Sequence, residues 1–174
     1  MKEYPKVRVS WDLHFRIRNK TTGIVEEFLD KIPHNLVTNE GLNHLLDAVF
    51  HGATQVDPWY VGLKLTGAAA ATDTYSGMIS DGEAWDEFEE YSNHRKEFVE
   101  GAAASQAISN TGSVAQFDIT SAGQIYGAIL TSVESKTENP AGAVLFSAGD
   151  INSFRTVDSG DQVNITLTIA TSGT

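Results

Sequence analysis

The chain has no cysteine, no long apolar run and few basic residues, and each shortage removes a class of explanation. Without cysteine there are no disulfides, no thiolate metal sites and no cysteine nucleophile. No apolar stretch approaches the roughly 18–20 residues that a membrane-crossing helix needs. The first residues, Met1 to Pro5, lead into an alternating charged segment and lack the apolar centre of a signal peptide. The sequence therefore predicts synthesis in the cytoplasm and no membrane partner. Lysine and arginine number 12 against 23 aspartates and glutamates, for a net charge of −11. Bulk nucleic-acid binding needs a basic surface and is not expected.

What is present is enough for a core. A length of 174 residues with 41% hydrophobic content fits one domain, 1–174, that folds without staples. The charge is unevenly spread. Residues 1–20 carry a local +4, which leaves −15 on the remainder. A basic edge on an acidic body suits docking on an acidic partner or on copies of itself. A solvated strand face without a partner is the alternative.

Period-2 alternation is the clearest structural signal. Val7, Val9, Trp11, Leu13, Phe15 and Ile17 alternate with Lys6, Arg8, Ser10, Asp12, His14, Arg16 and Arg18. That pattern predicts a long strand with one buried face. A turn at 19–23 and a returning strand to 29 make a hairpin over 6–29. The wet face places Lys6, Arg8, His14, Arg16 and Arg18 together as the candidate docking face.

One amphipathic helix is expected over about 39–51. Thr38 or Asn39 caps it, and Leu42, Leu45, Leu46, Val49 and Phe50 form one apolar stripe to lie on a sheet. Gly52 supplies a left-handed stop. Strands are expected at 59–65, 97–101, 106–109, 113–120, 124–132, 143–146 and 162–170, with turns of Gly, Asn, Ser, Pro and Asp between them. Trp85 and Phe88, three apart in the acidic segment 81–91, suggest a single helical turn that docks both rings. The Gly/Ala stretches 67–71 and 101–104 suggest flexible loops, that of 67–80 ordering either alone or only against a neighbour. The fold class is mainly β: a β-sandwich or a jelly-roll-like barrel with an N-terminal hairpin and one helix.

Chemistry is sparse. None of His14, His34, His44, His51 and His94 stands beside a Gly-x-Ser-x-Gly elbow, and there is no His-Glu-x-x-His. His44 and His51 are two helical turns apart, about 10 Å, too far to share a metal. The acids at 81–90 could supply two glycosidase carboxylates, with Asp86 and Glu87 as candidates, but a solvated face is the plainer reading. They lack the calcium-loop spacing. No catalytic residue, cofactor or metal site is assigned. Trp59, Tyr60, Tyr75, Trp85 and Tyr91 are core candidates, with sugar stacking as the alternative.

The stretch 34–47, His-Asn-Leu-Val-Thr-Asn-Glu-Gly-Leu-Asn-His-Leu-Leu-Asp, resembles a recurrent segment of tailed-bacteriophage virion structural proteins, N-L-V-T-N-x-G-L-N-x-L-x-D. Trp59 to Leu63, 85–88, 98–103, 108–110, 127–130, 147–150 and 159–165 are similar in order, so the resemblance spans roughly 34–170. It implies a particle component without catalytic residues. Proteins of this kind are head decoration or cement proteins, or tail, collar or fibre parts. The expected partners are the major capsid protein or other virion proteins and further copies of the chain, as a dimer or trimer. The expected location is the virion.

Overall fold

The computed structural model describes residues 7–30 and 36–173. In chain order the elements are β1 (Val7–Arg18), β2 (Val25–Asp30), β3 (Leu36–Val37), α1 (Asn39–Phe50), β4 (Tyr60–Thr66), α2 (Tyr75–Ile79), β5 (Asp86–Phe88), β6 (Lys96–Glu97), β7 (Ala107–Ser109), β8 (Ala115–Asp118), β9 (Gly123–Thr131), β10 (Leu145–Val157) and β11 (Gln162–Gly173). Among the described residues they form two antiparallel sheets packed face to face, with no closed barrel. The sandwich expectation holds, and the barrel alternative does not.

The first sheet runs β2-β1-β11-β7, with β8 also on β11. Its frame is the pair of alternating strands at the two ends of the sequence. β1 and β11 are in register from Val7 opposite Gly173 to Arg18 opposite Gln162. The hairpin turn is built by Asn19, whose side-chain oxygen accepts from the N–H groups of Thr21 and Thr22, and by Gly23 at φ +69°. Asp161 joins this turn to the next one, accepting from Lys20 N–H at 3.0 Å and Asp158 N–H at 2.9 Å.

The second sheet runs β3-β10-β9-β4-β5, with β6 also on β4. Between the sheets lie Ile17, Val61, Leu63, Phe88, Phe117, Ile125, Leu130, Val163, Ile165 and Leu167, all buried. The outer face of the second sheet has its own cover. Tyr75 and Met78 of α2 and the Trp85 ring pack over Ile129, Leu145 and Ala148. The molecule thus has a partial third layer behind one sheet.

Several sequence expectations need correction, among them the strand expected at 97–101, where the paired strand is only Lys96–Glu97. Trp85 and Phe88 do not share a helical turn. Positions three apart lie on one face of a helix but on opposite faces of an extended chain. Here Phe88 enters the core between the sheets, and Trp85 enters the layer behind them. Another correction is β10, which runs to Val157 and not merely over 143–146. A further one is loop 67–73, which is tied down within the chain. Asp73 accepts from Ala70 N–H and the Trp85 indole, Asp150 from Ala69 N–H, and Ala71 carbonyl from Asn39 N–H. The short helix α2 was not foreseen.

α1 begins as the sequence predicts. Thr38 accepts from Gly41 N–H at 2.9 Å and donates to Leu145 carbonyl at 2.5 Å. Gly41 is buried, and a Cβ there would collide with the Phe146 backbone. The helix is held by this first turn, by Leu45 against the core, and by His44 edge-on to Trp59. The remaining stripe is not buried on a sheet. Leu42, Leu46, Val49 and Phe50 are 37%, 55%, 61% and 81% exposed.

Candidate docking face

The candidate face forms because β1 is extended and alternating. Ile17 is in the core, while Arg16 and Arg18 on the other parity are exposed and His14 is half-buried. The register sets their neighbours. His14 lies opposite Thr166, Arg16 opposite Asn164 and Glu27, and Arg18 opposite Gln162 and Val25. The next positions are Gln116 beside Asn164 and Asp118 beside Gln162. The structure thus places His14, Arg16 and Arg18 in one row on a polar outer face. Arg8 belongs to β1, and Lys6 lies outside the described residues.

The basic character of this row is diluted. Arg16 pairs with Glu27 at 3.1 Å, with both side chains more than half exposed. A pair so exposed contributes about 0–1 kcal/mol and is readily exchanged for an external carboxylate. Arg18 and Lys20, with Asn19, Gly23, Gly160 and Gln162, line a hollow of about 280 Å³ at the hairpin end. Thr166 and Thr168 on β11 extend the face as half-buried hydroxyls. Its chemistry suits hydrogen bonding and carboxylate capture.

The acidic segment is largely absorbed by the fold. Glu83 accepts from the N–H of Thr74, the residue that caps α2. Glu87 takes Arg95 through both oxygens and Tyr91 OH at 3.0 Å. Burial is the largest influence on Tyr91 and, with Glu87 beside it, pushes the phenol pKa upward. For Arg95, burial works against the charge, but the Glu87 hydrogen bonds outweigh it and the pKa is raised. Of the aromatics considered for sugar stacking, Tyr75, Trp85 and Tyr91 are buried, and Trp59 and Tyr60 are half-buried. A pair that sequence reading did not single out is exposed Phe154 beside half-buried Tyr126, 5.4 Å between centroids. It sits where β10 bulges between Asp150 and Arg155, and a bulge cannot be read from composition.

Among the described histidines, His44 stacks on Trp59, His51 contacts Asp47 on the same helix, and His94 is exposed. His34 lies outside the described residues. Among the described residues no three His, Asp or Glu side chains come together to hold a metal, and no helix is long and apolar enough to cross a membrane. A hollow of about 530 Å³ is an open groove between the 99–104 segment and β7, lined mainly by small residues such as Gly101, Ala102, Ala107 and Gly112. No protein-family model matches the chain, and no curated protein matches it.

Proposed function

We propose that this chain is a non-enzymatic structural component of a tailed phage particle, a capsid decoration or cement protein that binds the outer shell as an oligomer. One observation carries the reading. The segment that resembles phage virion proteins is the segment that leaves its apolar residues in water. Thr38 and Gly41 are accounted for by the fold, but Leu42 and Leu46, followed by Val49 and Phe50, are not. Full burial of such a side chain is worth roughly 1.5–3 kcal/mol, and each of these forgoes the part that its exposure leaves in water. A neighbouring copy or another virion protein seated on α1 restores that burial.

The row of His14, Arg16 and Arg18 supplies a second, polar surface for an acidic shell. Weak contacts repeated around a symmetry axis hold firmly by avidity. Reversal of Arg8, Arg16 and Arg18 to Glu should abolish binding to capsids, while Leu46→Ser with Phe50→Ser should dissociate the oligomer. Undiminished capsid occupancy by the triple reversal removes the polar surface from the proposal. A tail, collar or fibre position is the second reading, and the exposed Phe154 ring beside half-buried Tyr126 favours it as a sugar-stacking surface.

A further inference from the structure

The outer face of the second sheet brings two side chains together over a glycine. Lys64 on β4 and Asp150 on β10 are both in register with Gly127 on β9, the strand between them. Any Cβ at 127 would collide with the Gly149 carbonyl, so only glycine lets the row close. Over that bare position Lys64 Nζ comes within 2.6 Å of Asp150 Oδ1.

The contact has unusual geometry and surroundings. Asp150 Oδ1 is buried and has no aligned hydrogen-bond donor, although Nζ lies beside it. Nζ also donates to the carbonyls of Thr66 and Gly67. Asp150 Oδ2, by contrast, is held by Ala69 N–H at 3.3 Å. The Lys64 side chain is wholly buried, with the Trp85 ring 5.4 Å from Nζ. The indole is fixed by its N–H to Asp73 at 2.7 Å. Burial draws the lysine pKa down, against the pull of Asp150 and Asp73, and so favours the neutral, nucleophilic amine.

We propose that Lys64 Nζ and Asp150 Cγ become joined by an intramolecular amide bond. A proton passes from the ammonium to the Asp150 carboxylate, leaving an amine and a carboxylic acid. The nitrogen lone pair attacks Cγ and a C–N bond forms. Oδ1 departs as water with two of the three ammonium hydrogens, and the third remains on the amide nitrogen. Oδ2, steadied by Ala69 N–H while it carries negative charge, becomes the amide oxygen. No oxidant or second reactant enters. Fixed proximity, with the lysine side chain and Asp150 Oδ1 both shielded from water, replaces external activation. The product ties β4 to β10 across an intervening strand, a covalent strap suited to a protein under mechanical load.

The test is the intact mass of the purified full-length protein under denaturing conditions. The expected mass is about 18 Da, one water, below that of the sequence. Tandem mass spectrometry should recover the Lys64 peptide linked to the Asp150 peptide. Lys64→Arg and Asp150→Ala should each run at full mass. Wild-type protein at full mass overturns the proposal, whether or not the variants fold. So does a water loss that maps elsewhere, such as to a succinimide at Asp81-Gly82.

Discussion

Glu87 and Arg95 form a bidentate ion pair that is almost wholly buried. Arg95 Nη2 donates to Glu87 Oε2 at 2.6 Å and Nε to Oε1 at 2.9 Å, with side chains 0% and 5% exposed. The remaining guanidinium nitrogen donates to the carbonyls of Val133 and Ser135, at 2.8 and 2.5 Å. The acidic segment 81–91 is thereby fastened to the 133–135 loop through one arginine. Removing either partner strands a buried charge. Arg95→Ala or Glu87→Ala should each cost about 3–5 kcal/mol in urea unfolding. The Glu87→Leu, Arg95→Met double variant should recover most of that loss. Equal losses in the single and double variants would contradict the pairing.

Tyr91 gives a pH signature. Its phenol is 3% exposed and its pKa lies above the ordinary value of 10.0. Above pH 10 the unfolded chain releases this proton and the folded chain keeps it. Protonation then favours the folded state less with each step upward, so stability falls as pH rises from the ordinary value toward the folded one. The slope is about 1.4 kcal/mol per pH unit for one such group. Tyr91→Phe loses the hydrogen bond to Glu87 and should be less stable at pH 8, yet its stability should fall less steeply above pH 10. Parallel stability curves for the two proteins would show that Tyr91 titrates normally.

A third prediction rests on backbone strain. Ala104 and Ala107 exchange both backbone hydrogen bonds, at 2.9 and 3.0 Å, around Ser105 and Gln106. Those two residues have φ of +51° and +64°. A two-residue hairpin loop with both residues left-handed is the type I′ arrangement, which favours Asn-Gly. Ser105→Asn with Gln106→Gly should raise stability by about 1 kcal/mol. The denaturant midpoint should move upward with an unchanged slope.

Legibility from sequence followed the range of the interactions. The β1 and β11 alternations were plain because one buried face imposes period 2 on adjacent residues. Thr38 as a cap was local and legible. β10 was truncated in sequence reading because Ser147 and Asp150 interrupt its apolar pattern. Ser147 is buried all the same, and Asp150 is held by Lys64. The pairs Glu87–Arg95 and Lys64–Asp150, and the meeting of Lys64 and Trp85, depend on strand order, which no local pattern encodes. The α1 stripe was legible as amphipathic, but amphipathicity does not say whether its apolar side meets this chain or another. Of the docking row, the shared face of His14, Arg16 and Arg18 followed from periodicity. Glu27 opposite Arg16 required the hairpin register.

The central claim concerns assembly on a particle, and copy number tests it most directly. Quantitative mass spectrometry of purified virions should give this chain relative to the major capsid protein. The account predicts a ratio near one, or a simple fraction such as about one third, as symmetry on a shell requires. A ratio of a few per hundred would contradict a decoration role and place the chain in the tail, collar or a fibre. Absence from the particle would contradict the account altogether.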